Sequence, residues 1–282
     1  MTTVSELINC LWKAPPYPAI RLHKDRTHPA NFVYYKSWGF NIYRTYYGKG
    51  SDKHWAMLLD ALKRQTYLAL RDLEEDREYE LDNRRRIHHH QNKQQYMEDL
   101  EIFRKLFHLE AREGPELEGL DIYQVREISA EENKEGKVIT VGGRVQYVLV
   151  ADEAVLRNIA EGEFVVKAVA YKWDRSMNWG WMRIPTGYLF EFWQSLVLCD
   201  RMDRDIIWFL GPEEELERCI WPGEDSLEAT SCCSEVRPLY YHYSGQALWV
   251  EIETEIQKLR IARTAEMRGI QRELSSKFCL PD

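Results

Sequence analysis

The stretch NRRRIHHHQNK, Asn83 to Lys93, places three arginines and three histidines within one short segment, which invites metal, phosphate or nucleic-acid chemistry. On a helix consecutive residues point about 100° apart, so His88, His89 and His90 cannot converge on one ion. On a strand only His88 and His90 share a face, which gives two ligands where zinc takes three or four. Glu80 with Arg84, and Asp82 with Arg86, stand four residues apart with the acid first, the favourable order for ion pairs along a helix. The segment reads as a charge-laced solvated helix or loop. No metal is expected, and no cofactor.

Other chemistry-bearing residues are weighed in the same way. The GKGS stretch at 48–51 lacks the order of a phosphate loop, and its glycines suffice for a turn from strand to helix. Vicinal Cys232 and Cys233 read as two loop thiols, since adjacent cysteines form strained disulfides. No nucleophile elbow and no zinc-protease helix motif is present. The richest stretch is aromatic, with eight aromatic residues from Tyr171 to Trp193. In an extended WGWMR, the side chains of Trp179, Trp181 and Arg183 project from one face, a wall with a cation beside it that suits a planar or anionic ligand. Arg44 is the one ionic residue of an apolar strand and could orient a carboxylate or phosphate in the same cavity. Tyr43 or Tyr46 could donate a proton there. The competing reading makes the aromatics core and pairs Arg44 with an acid such as Asp52.

These residues sit in a chain of 282 residues, 44% hydrophobic, with ten Trp, sixteen Tyr and nine Phe, enough to bury a core without staples. The six cysteines show no metal or disulfide spacing. Lys and Arg total 38 against 46 Asp and Glu, a formal net charge of −8, which makes nucleic acid an unfavoured partner. No segment reaches transmembrane length and the start lacks a signal-peptide pattern, so a cytoplasmic protein with no membrane association is expected.

The elements that must position the candidates follow from periodicity. Residues 1–37 are proline-punctuated and read as an irregular lead-in. WGFNIYRTYY, 38–47, reads as a strand, with Phe40, Ile42 and Arg44 alternating against Asn41, Tyr43 and Thr45. A helix follows with Trp55, Leu58, Leu59 and Leu62 near helical spacing. Residues 71–95 are over half charged and form an insertion that cannot build a core. YMEDLEIFRKLFHLEAREG stays open between a helix and a helix-to-strand passage, LDIYQVREISAEENKEG reads as a helix, RVQYVLVAD as a strand, EAVLRNIAEG as a short helix, EFVVKAVAYKW as a strand and GWMRIP as a short extended piece. TGYLFEFWQSLVLC reads as a helix capped by Thr186. The order predicts an α+β fold, a ferredoxin-like sheet of about four strands with helices packed on one face, over 38–210. Residues 211–282 are expected to hold a loop and a long helix. Its stripe of Trp249, Ile252, Ile256 and Leu259 would pack on the core or on a partner such as a second copy.

At WGFNIYRTYYGKGSDKHW the chain resembles a widespread group of uncharacterised proteins of filamentous fungi. The shared pattern is a strand W-G-[FW]-x-[IV]-Y-R-[TC], here Trp38, Gly39, Phe40, Ile42, Tyr43, Arg44 and Thr45, then Asp52 in an acidic loop and Trp55 on a helix. It continues in RVQYVLVADEAVL, AVAYKWD and GWMRIPTGYLFEFW, covering 38–195. The resemblance implies a ferredoxin-like core and a fungal origin, and carries no activity. The charged insertion and the terminal helix lie outside it.

Two functions fit these residues. One is a ligand-binding or interaction protein with an aromatic-lined pocket, taking a small molecule and dimerising through the terminal helix. The other is a cofactor-independent enzyme of the cyclase or isomerase type in secondary metabolism.

Overall fold

The computed structural model describes residues 4–13, 23, 28–84, 93–139, 146–172, 179–199, 207 and 213–221. Helix α1 (Val4–Leu11) leads into a 3-10 turn (Pro29–Tyr34) and strand β1 (Trp38–Arg44). Helix α2 (Ser51–Arg84) and helix α3 (Lys93–Leu106) then return the chain to strand β2 (Phe107–Arg112). Helix α4 (Ile122–Lys134), strand β3 (Tyr147–Ala151), helix α5 (Glu153–Ala160), strand β4 (Val165–Ala170), strand β5 (Trp181–Pro185) and helix α6 (Leu189–Cys199) complete the order, with a last 3-10 turn at Glu213–Glu217.

The fold is α+β, built on a mixed sheet in the order β2-β1-β3-β4-β5. Strand β1 pairs parallel with β2 and with β3, whereas β3, β4 and β5 pair antiparallel. Because β2 and β3 flank β1 on opposite sides, two right-handed crossovers must pass over opposite faces of the sheet. The α2–α3 connection covers one face. It shares that face with α6, as the stacking of Trp38 on Phe103 at 4.5 Å and of Phe40 on Phe192 at 5.8 Å shows. Helix α4 covers the other, where Glu132 accepts a hydrogen bond from Tyr43.

Three expectations are corrected by this layering. The strand–helix–strand–strand–helix–strand order of a ferredoxin-like unit is replaced by three successive strand–helix units followed by the β4–β5 pair. Among the described residues the sheet has five strands, and helices lie on both faces. Every residue of β1 from Trp38 to Arg44 is buried. Asn41 is satisfied under α4 by donating to the Lys137 carbonyl (3.2 Å) and accepting from the Ile139 N–H (2.8 Å), so polar residues occupy an interior face at little cost.

Residues 4–11 are not irregular. Val4, Leu7, Ile8 and Leu11 recur at helical spacing and are all buried, forming α1, which packs on α3. Thr186 does not cap α6: it opens a 3-10 turn, its hydroxyl donates to Gln65 Oε1 (2.5 Å) and its N–H to the Phe164 carbonyl (3.0 Å). Strand β2 confirms the helix-to-strand passage around residue 106. Of the charged insertion, 71–84 continue α2 as helix. Residues 85–92, with His88 to His90, lie outside the described residues, as do Trp249, Ile252, Ile256 and Leu259 of the expected terminal helix.

The core is aromatic. Trp38, Phe40, Phe103, Phe192 and Trp193 are all essentially inaccessible, and each contributes about 1.5–3 kcal/mol relative to an exposed position. The Trp38 indole also donates to the Phe103 carbonyl (2.7 Å), which locks β1 to the end of α3.

Candidate functional site

Arg44 ends β1, and the chain must turn there into α2. The following loop, 45–50, leads to the face of α2, while the loop after β2 runs through a 3-10 turn (Pro115–Leu117) to α4 on the opposite face. Where neighbouring parallel strands send their connections to opposite faces, a crevice opens outside their carboxyl ends. Arg44 stands at that end of β1, 3% exposed. Its Nε donates to the Tyr46 carbonyl (3.1 Å), one terminal nitrogen to Ser51 Oγ (2.9 Å) and to Asp52, and the other to Glu113 (3.3 Å). The guanidinium lies 4.4 Å from the Tyr47 ring centre and 5.9 Å from that of Trp55. Tyr47 bridges the two loops, its hydroxyl donating to the Arg44 carbonyl (3.1 Å) and accepting from the Gly114 N–H (2.8 Å).

The pairing of Arg44 with Asp52 is therefore present, but it is lopsided. The arginine side chain is 4% exposed, whereas that of Asp52 is 91% and that of Glu113 45%. The cation is fixed by packing and by Ser51; its acids reach in from solvent. Trp55 stands one turn after Ser51 on the same side of α2, and its buried Nε1 has no hydrogen-bond acceptor among the described residues.

The other candidates divide between two places. Tyr46 is half-buried beside the crevice, and a Cβ on Gly48 would lie 2.0 Å from its hydroxyl. Tyr43 faces α4, where its hydroxyl donates to Glu132 (2.6 Å). Burial first, and then Glu132, raises its phenol above the usual value, so it stays protonated and donates to Glu132.

Trp181 and Arg183 lie on the α4 face of the sheet, since they pair with Val169 and Lys167, out of phase with the Ala168–Leu149–Ile42 row that faces α6. The single cavity expected to join Arg44 to Trp179, Trp181 and Arg183 is thus not formed. Trp179 precedes β5, and its carbonyl accepts from Arg126 of α4 (2.7 Å).

Around Trp181 and Arg183 the structure assembles a second cluster. Lys167 and Arg183 sit directly opposite each other, both buried. Like charges in that position repel, and acids from outside the two strands offset them. Lys167 donates to Asp152 (2.6 Å) and to Glu217, Arg183 donates to the Glu217 carbonyl (2.5 Å), and Glu163 stands 3.9 Å away. The Trp181 indole donates to Glu213 (2.8 Å), as does the Tyr123 hydroxyl (2.9 Å). Burial lowers the Arg183 pKa from its ordinary value, with Glu217 and Glu163 opposing the shift. The partners Lys167, Asp152, Glu213 and Glu217 escaped the sequence reading. Lys167 carries the same signal that marked Arg44, a lone charge among apolar strand residues.

Among the described residues no group of three or more His, Cys, Asp or Glu side chains is placed to hold a metal, and no helix is long and apolar enough to cross a membrane. No protein-family model matches the chain, and no curated protein and no solved structure matches it either.

Proposed function

We propose that this chain is a binding protein for a small ligand bearing a carboxylate or phosphate, received at Arg44 in the crevice outside the carboxyl ends of β1 and β2. The observation that carries the reading is the asymmetry at Arg44, a guanidinium held rigidly in the interior whose acidic partners are solvent-exposed. When Asp52 swings out it regains its hydration, and Arg44 still keeps Ser51, Glu113 and the Tyr46 carbonyl, so exchanging Asp52 for a ligand anion never leaves the cation unpartnered. A ligand anion can therefore take the place of Asp52, gaining the planar fork of Arg44, the Ser51 hydroxyl and the favourable field at the start of α2. The Tyr47 and Trp55 rings would flank it, and the Trp55 N–H would find an acceptor.

Isothermal titration with benzoate and with inorganic phosphate tests this. Saturable binding is expected for at least one, strengthened by Asp52→Asn and weakened about tenfold or more by Arg44→Lys, which keeps the charge and loses the fork. Absence of binding to both the natural chain and Asp52→Asn would overturn the reading.

A further inference from the structure

The turn Glu213–Glu217 carries four acids in five residues, EEELE, and lies across the cleft between α4 and β5. It belongs to neither element and shares no part of the Arg44 crevice. Its contacts are mostly to side chains: Glu213 with Trp181 and Tyr123, Glu217 with Lys167, and the completely buried Leu216 between them, joined by one main-chain contact to Arg183. Tryptophan, tyrosine and arginine surrounding carboxylates is the chemistry of an interface rather than of a core.

Each cation of the cleft also has an acid from outside the turn. Without it, Lys167 keeps Asp152 at 2.6 Å and Arg183 keeps Glu163 at 3.9 Å. The chain just beyond is anchored separately, by the strand-like bridge of Ile220 to Arg183 and the Trp221 N–H on the Arg183 carbonyl (2.8 Å). Tyr123 at the rim is 43% exposed.

We propose that this cleft is a docking site for acidic peptide segments of the form acid-x-x-apolar-acid, and that Glu213–Glu217 is a tethered copy of that ligand. A partner supplying the same groups replaces the turn contact for contact. Because a ligand tethered through a few residues acts at an effective concentration of order millimolar, the natural chain binds a free peptide weakly until its own acids are removed.

The test is fluorescence anisotropy of a labelled peptide with the sequence of residues 211–218, titrated with the full chain. Weak binding by the natural chain and binding about tenfold tighter by the Glu213→Gln, Glu217→Gln double variant are expected, with loss when the same two acids of the peptide are changed to glutamine. Equal affinity for both chains, no binding to either, or indifference to glutamine in the peptide would overturn the proposal. Should the double variant fail a thermal-unfolding check, Glu213→Gln alone, which leaves every Lys167 contact intact, is expected to bind about threefold tighter than the natural chain, and no gain counts against the proposal.

Discussion

Gly39 lies opposite His108 in the parallel pair β1–β2, so close that a Cβ on Gly39 would sit 1.9 Å from the His108 carbonyl oxygen. The φ of Gly39 is +128°, a region side chains rarely adopt. Both facts explain the glycine between Trp38 and Phe40. Gly39→Ala is expected to lower unfolding free energy by about 2–4 kcal/mol, combining overpacking with backbone strain, as read by urea denaturation.

Arg44 and Asp52 should respond unequally. Arg44→Ala strips a buried cation from Ser51, Glu113 and the Tyr46 carbonyl, and a loss of about 3 kcal/mol is expected. Asp52→Asn, on an exposed side chain, should cost under about 1 kcal/mol. Paired denaturation curves check this; equal losses would show that Asp52 holds the arginine in place.

Tyr43 and Tyr171 supply a pH dependence. Burial raises both phenols above their ordinary value, with Glu132 adding to the shift at Tyr43. An unfolded tyrosine releases its proton near pH 10 while the folded one retains it, so the stabilisation is complete below about pH 10 and is lost as pH rises beyond it. Urea midpoints measured from neutral to strongly alkaline pH should fall above that point, and less steeply for Tyr43→Phe combined with Tyr171→Phe.

Asp152 has two duties that two substitutions separate. One oxygen caps α5 by accepting from the Val155 N–H (3.0 Å), and the other accepts from Lys167 (2.6 Å). Asp152→Asn keeps an oxygen for the cap and removes the charge, whereas Asp152→Ala removes both. The alanine variant should be less stable than the asparagine variant by about 1 kcal/mol, measured by thermal or urea unfolding.

Much of the fold was legible in the sequence because local patterns and final environment agree. The β-branched runs of β3 and β4, the short helix α5 between them and the helix read in 120–136, found as α4, all declare themselves. What escaped was tertiary. The spacing in β1 does not say what covers Asn41 and Tyr43, and only the arrival of α4 and residues 137–139 makes them interior. Prolines after residue 14 masked the apolar stripe of α1. At the site, Arg44 and its acid Asp52 were visible from spacing; Tyr47 and Glu113 were not, because the second comes from 69 residues away. Trp181 and Arg183 share a face as their spacing requires, but sequence alone could not say that Arg44 faces elsewhere.

The parallel pairing of β1 with β2 also makes the sheet uneven in the length of chain that closes it. Trp38 finds its neighbour Phe107 only after two helices have been made, whereas β3, β4 and β5 meet across much shorter connections. During synthesis the first strand therefore waits, apolar and unpaired, while its future partner is still inside the ribosome. Once the whole chain is free, β3, β4 and β5 close over much shorter connections than β1 and β2 do, at a smaller entropic cost.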